Sequence, residues 1–216
     1  MAYLGNQITT VFPTSISVDS ATISGNTTVG GTLGVTGATT LSNTLGVTGV
    51  STLSDNIVFG ASGKGVHLGV TSATASNLLS DYEEGDFTPA FSFTNGNGGI
   101  TTHTAIGKYV KTSNFVYINI YIRINSKGSA SGQCRIGAIP FTPLNLTNYF
   151  QVISVGFNGT VSGQSFDGDH PYWGQLQSND ATLRFYAHVG SGSVAQLGAS
   201  DVQDGTDIRA TGGFYV

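Results

Sequence analysis

The alternation of apolar and polar residues is strongest in the second half of the chain, where residues 115–125 read FVYINIYIRIN. Val116, Ile118, Ile120, Ile122 and Ile124 fall on one face of an extended strand, and Phe115, Tyr117, Asn119, Tyr121, Arg123 and Asn125 on the other. Successive side chains of a strand point to opposite faces, so the aliphatic face must be core. Gly107–Lys111 can pair with this strand as a hairpin through Thr112, Ser113 and Asn114. The same period of two marks Ala181–Val189, where Leu183, Phe185, Ala187 and Val189 alternate with Arg184, Tyr186 and His188. Further strands are predicted at 133–139, 149–157, 159–166 and 207–216. Roughly seven or eight short strands separated by turn residues predict an all-β head over residues 82–216, a β-sandwich of jelly-roll-like type.

Ahead of residue 81 the pattern is different. Thr32–Asn43 reads TLGVTGATTLSN and Thr44–Asp55 reads TLGVTGVSTLSD, two twelve-residue units that match at nine positions. A weaker copy, SATISGNTTVGG, covers Ser20–Gly31, and Gly25, Gly37 and Gly49 lie twelve apart. Within the units Leu33 and Val35, then Leu45 and Val47, are two apart, and Leu41 or Leu53 follows. That is strand spacing, broken at Gly37 and Gly49, with Asn43 and Asp55 marking the next turns. No aromatic residue lies between Phe12 and Phe59, and no Lys or Arg precedes Lys64. One chain therefore has little to pack these strands against, whereas three chains wound together would pair their edges and gather the aliphatic rows on one axis. Residues 16–67 are expected to form an obligate, intertwined trimeric β-shaft. A flexible Gly/Ser/Thr linker has a similar composition but no need to hold Leu and Val in register.

Between the two parts, residues 56–70 lose the period but keep Ile57, Phe59, Val66 and Leu68 in an alternating pattern. Residues 72–81, SATASNLLSD, are the one candidate helix, with Ser72 as cap and Leu78 and Leu79 as its apolar face. A short helical neck over 68–81 is the expectation.

Composition narrows the function classes. Charged residues make up 9% and glycine 31 of 216 residues, which excludes helical bundles and coiled coils. A net charge of −4 gives no electrostatic footprint for nucleic acid. Its distribution is uneven, with Lys108, Lys111, Arg123, Lys127 and Arg135 and no acid in residues 87–166. No apolar run approaches the ~20 residues that span a bilayer, so no membrane insertion is expected. Cys134 is alone, which rules out an intrachain disulfide. The opening MAYLGNQITT lacks the basic and apolar regions of a secretory signal.

No catalytic constellation is visible. Cleaving a glycosidic bond needs two carboxylates facing one another across it. Glu83 and Glu84 are adjacent, and Asp167 and Asp169 in SFDGDHPYW fit Asx-turn roles. Asp201, Asp204 and Asp207 in DVQDGTD are oxygen ligands of the type hard cations take, but Asp-Gly is also an ordinary turn. His67 would become three ligands if it sat on a three-fold axis. No metal, cofactor or enzymatic activity is expected. The positive candidate is a receptor-binding set in one Gly/Pro-bounded run: Asp167, Asp169, His170, Tyr172 and Trp173. Aromatic faces stack on sugar rings and carboxylates accept hydrogen bonds from sugar hydroxyls. Tyr172 and Trp173 would equally serve as plugs for the core or a subunit interface.

Two stretches carry a resemblance. TLGVTGATTLSNTLGVTG is similar to the shaft repeat of bacteriophage tail fibres. YEEGDFTPAF at 82–91, GKYVKTSNFVYINIYI at 107–122 and IGAIPFTP at 136–143 together resemble the C-terminal head of phage tail fibre and tailspike proteins. Those heads commonly open on Tyr-Glu-Glu-Gly, an aromatic and Thr-Pro; here Asp86-Phe87 stands where Thr-Trp is frequent, and Ile139 where Leu is. The resemblance implies a homotrimeric fibre of the virion that recognises the host surface, with lipopolysaccharide or another glycan as receptor. In such a fibre residues 1–15, anchored by Tyr3, Leu4, Val11 and Phe12, would attach to tail or baseplate proteins. A structural decoration of the baseplate and a polysaccharide depolymerase are the alternatives.

Overall fold

The computed structural model of the protein describes residues 19–20, 22–158, 172–188 and 193–216. The chain forms two units, Met1–Asn56 and Ile57–Val216. In the first, residues 22–56 form neither helix nor strand and every one of them is exposed. Bends recur at 30–31, 36–37, 42–43, 48–49 and 54–55, a step of six residues, half the sequence repeat. Asn43 and Asp55 act alike: each side-chain oxygen accepts the next residue's N–H, at 3.0 and 2.7 Å. No described residue of this unit belongs to a strand ladder. A ladder needs a second strand edge, and among the described residues of this unit no segment pairs with another.

The second unit begins with a small ribbon in which β1 (Val66–His67) pairs with β2 (Leu78–Leu79). The helix expected over 72–81 is reduced to one 3-10 turn, Ala75–Asn77, and Leu78 and Leu79 are strand residues. Ser, Thr and Asn compete for their own backbone, and ten residues are too few to hold a helix without packing. Ser72 is not the cap; Thr74 precedes the turn and makes no side-chain capping bond.

The head contains β3 (Tyr82–Phe87), β4 (Ala90–Phe93), β5 (Thr101–Thr112), β6 (Phe115–Ser126), β7 (Cys134–Gly137), β8 (Phe150–Asn158), β9 (Tyr172–Gln177), β10 (Asp180–His188), β11 (Val194–Gln196) and β12 (Asp207–Tyr215). The all-β fold expected from the alternation is present. Its ladder is one antiparallel sheet in the order β3-β5-β6-β12-β8-β9-β10-β7-β4, with β11 also on β10, and not two separate sandwich layers. The two terminal strands, β3 and β4, are consecutive in sequence and separated by Thr88 and Pro89 alone. Three peptide steps reach about 11 Å at most. The sheet must therefore curl until its edges approach, which encloses its inner face.

That inner face is the core. On β6 Val116, Ile118, Ile120, Ile122 and Ile124 are fully buried, as the sequence predicted. Leu183 and Phe185 of β10, Ile208 and Phe214 of β12, Ile153 of β8 and Leu176 of β9 meet them. Each such side chain contributes about 1.5–3 kcal/mol relative to exposure. Two-residue turns close the β5–β6 and β9–β10 hairpins, with Ser113 and Asn179 in the left-handed region (φ 54° and 56°). The β3–β5 pair carries a reciprocal device. Gly85 is opposite Tyr109 and Phe87 is opposite Gly107, and each ring lies over the facing glycine.

Candidate functional site

With alternate residues turned into the core, the others form the outer face, and antiparallel register decides which of them become neighbours. Following that register across the sheet gives one transverse row: Asp86, Lys108, Asn119, Thr211, Ser154, Trp173 and Tyr186, on β3, β5, β6, β12, β8, β9 and β10. Five members carry compact polar or charged groups, and the two aromatics add ring faces together with an indole N–H and a phenol hydroxyl. Lys108 donates to Asp86 at 2.6 Å, leaving this end of the row electrically balanced. Thr211 and Tyr117 share a hydrogen bond of 2.7 Å.

Two clefts open along the row and meet at Asn119. The first, of roughly 550 Å³, is lined by Glu84, Asp86, Lys108, Val110, Tyr117 and Asn119. The second, of roughly 410 Å³, is lined by Asn119, Tyr121, Ser154, Gly156, Arg209 and Thr211. Gly156 leaves its floor open, since a Cβ built there meets nothing within 4 Å. Arg209 lies over the Tyr121 ring at 5.6 Å, which fixes the far wall. Glu84 accepts from Tyr82 at 2.8 Å, and this bond raises the Tyr82 pKa above its ordinary value. Glu83, on the opposite face of β3, likewise raises that of Tyr109 by accepting its hydroxyl at 2.5 Å. Both phenols thus remain protonated donors to carboxylates.

At the other end of the row, Trp173 stacks on Tyr186 with centroids 5.9 Å apart and planes 18° apart. His188, the next outward residue of β10, tilts against the indole at 5.4 Å. Of the residues expected to contact a receptor, Trp173 therefore stands on the outer face. Its neighbour Tyr172 turns inward against Phe157, at 5.8 Å, beside the core. Asp167, Asp169 and His170, and the attachment candidates Tyr3, Leu4, Val11 and Phe12, lie outside the described residues.

The Asp201, Asp204 and Asp207 run is not gathered into one site. Asp201 accepts the Gly198 N–H at 2.7 Å, Asp204 the Lys127 N–H at 2.7 Å, and Asp207 the Arg123 guanidinium at 3.2 Å. His67 Nδ1 is 3.1 Å from the Thr74 carbonyl, a partner that can only accept. Among the described residues no three His, Cys, Asp or Glu side chains are grouped for a metal ion. Glu83 and Glu84, adjacent in sequence, fall on opposite faces of β3 as strand geometry requires, and Glu84 shares the outer face with Asp86.

Among solved structures, this architecture finds a counterpart. The fold is similar to part of the Dettilon tailspike protein. The match has a TM-score of 0.50 and 19% identity, and covers 62% of this chain. It spans 23% of the tailspike, so the likeness concerns one portion of that longer protein. At this identity the tailspike informs the fold and not the outer-face row. No protein-family model and no curated protein matches the sequence.

Proposed function

We propose that the chain is a phage tail fibre protein that recognises the host-cell surface, most directly a glycan such as lipopolysaccharide. The observation that carries the proposal is the fold shared with a tailspike. The repeat adds to it: Leu33, Leu45 and Val50 are 70%, 68% and 94% exposed in the single chain, a state that wound copies would relieve. The functional form is accordingly a homotrimer in the virion tail, seated on tail or baseplate proteins through residues 1–15. Three heads per fibre turn weak individual contacts into firm adhesion. Binding is non-hydrolytic in this reading. Glu84 and Asp86 already hold Tyr82 and Lys108, and a glycosidase acid must be free to give up its proton.

The test is competition. Purified full-length protein should block adsorption of the phage that carries it, in a dose-dependent way and without releasing reducing sugar. A trimeric protein that neither binds cells nor slows adsorption would make the head a structural or docking element. Release of reducing ends from host polysaccharide would make the protein a depolymerase.

A further inference from the structure

We propose that the transverse row from Asp86 to Tyr186 is the glycan site, and that it takes an extended polysaccharide laid across the strands. This rests on the receptor-glycan reading above and names the residues that would perform it. The row offers a carboxylate, an ammonium, an amide and two hydroxyls in succession, then the stacked Trp173 and Tyr186. Sugars present the same mixture: hydroxyls that donate and accept around the ring edge, and an apolar face of C–H groups that lies against an aromatic plane. Neighbouring side chains in the row are set by strand spacing at about 4.8 Å, close to the step between sugars in an extended chain. Six such steps follow about 29 Å of the curved outer face, a contour with room for about six residues of a polymer that bends with the sheet.

Other occupants fit the row less well. A protein interface centres on apolar and aromatic groups with charges excluded, and that chemistry belongs to the neighbouring end of the outer face, at Tyr82, Phe115 and Phe150. A nucleic acid would need a basic stripe, whereas Lys108 is paired with Asp86 and the whole chain carries −4. The second cleft is open because Gly156 has no side chain, and its backbone is in an ordinary conformation that other residues adopt.

Full-length protein and two row variants would be titrated onto host cells that are untreated, periodate-oxidised or protease-stripped. Gly156→Tyr fills the second cleft from a position where a side chain meets no neighbour, and Asn119→Ala removes the amide shared by both clefts. Binding should fall about tenfold for each variant, a loss equivalent to one or two ligand hydrogen bonds. It should vanish after periodate and survive protease. Trp173 is the sole tryptophan, so quenching by size-fractionated oligosaccharides reports on the aromatic end alone. The quench should strengthen with length up to about six sugars. Wild-type binding by both folded variants would overturn the site while leaving glycan recognition intact. Loss after protease would overturn the ligand class. Failure of the wild-type chain to bind any cells would remove the receptor reading and this inference with it.

Discussion

Gly107 on β5 is where a single methyl group has the most legible cost. A Cβ built there would lie 2.5–2.6 Å from three atoms of the Phe87 ring, well inside any real carbon contact. The backbone itself does not demand glycine, because φ at this position is not positive. Gly107→Ala must therefore push the ring aside. Overpacking of this kind costs about 1–3 kcal/mol, and displacing the partly buried Phe87 forfeits part of the ~1.5–3 kcal/mol its burial contributes. We expect a net loss of about 2–3 kcal/mol on these terms. In a Phe87→Ala background the obstacle is gone, and alanine is the better strand residue by about 0.5–1 kcal/mol. The sign of the Gly107 substitution should then reverse, giving a coupling energy of about 2–4 kcal/mol. The assay is guanidinium unfolding of the four proteins of the cycle at one fixed chain concentration, followed by Trp173 fluorescence, since assembly would make stability concentration-dependent. If Gly107→Ala costs the same in both backgrounds, within about 0.5 kcal/mol, the ring-over-glycine account of the β3–β5 pair is wrong.

Three further outcomes follow from the core. Burial, reinforced by Asp201, pushes the Cys134 thiol above its ordinary pKa of 9.0, so native protein should not react with a thiol reagent at pH 8–9 until it unfolds. Below pH 9.0 both states keep the proton and the contribution is whole; above it the unfolded thiol ionises first, and stability should fall by about 1.4 kcal/mol per pH unit, a slope that Cys134→Ala removes. Gln151 is buried and holds Tyr215 by both backbone groups, donating to its carbonyl at 3.1 Å and accepting its N–H at 2.5 Å. Gln151→Ala should cost about 1–3 kcal/mol in chemical denaturation and raise amide exchange at Tyr215 and Val216. Ile120→Ala, at a fully buried position in the middle of β6, should cost about 2–5 kcal/mol, and a loss below 1 kcal/mol would contradict the close packing of the inner face.

Strands with one dry and one wet face were readable from the sequence, because period-two alternation is the direct imprint of that environment. β6 and β10 are of this kind: Val116, Ile118, Ile120, Ile122 and Ile124, and Leu183, Phe185 and Ala187, are the buried residues the alternation named, while Val189 lies outside the described residues. β3 and β9 hid for the opposite reason. In YEEGDF the inward positions are Glu83, Gly85 and Phe87, with a carboxylate satisfied by Tyr109 and a glycine covered by its ring. In YWGQLQ the inward positions are Tyr172, Gly174 and Leu176, and with Gly174 filled by Leu183 and Val155 a single aliphatic residue is left to signal the buried face, so the strand reads as a loop. The helix at 72–81 was a local propensity argument that the pairing of Leu78 and Leu79 with Val66 and His67 overrode. Trp173 was singled out for its chemistry, but its companions Tyr186 and Ser154 were not. Their adjacency depends on strand order and register, which no local pattern in one sequence records.

The outer face also explains how one sheet could serve both assembly and ligand. Along β6 the outward residues run Phe115, Tyr117, Asn119, Tyr121, Arg123, so the chemistry changes every two residues while the backbone stays regular. At the Phe115 end the surface is aromatic and open: Phe115 contacts Tyr215 at 5.2 Å, and Tyr82, Phe150 and Val152 are each more than half exposed. A monomer gains nothing from such a patch, whereas a neighbouring copy in the proposed trimer would bury it. The polar row begins one outward residue past Tyr117. Assembly through the aromatic end would therefore bring each row to the margin of a subunit interface, with the first cleft, lined by Tyr117, bordering it and the second standing clear. Trimerisation and glycan binding then become coupled through the two positions they share, Tyr117 and its hydrogen-bonded partner Thr211. Tyr117→Phe keeps the ring and removes the bond to Thr211; on this argument it should leave assembly intact in sedimentation and weaken cell binding several-fold. Equal loss of both would mean that the two surfaces are one.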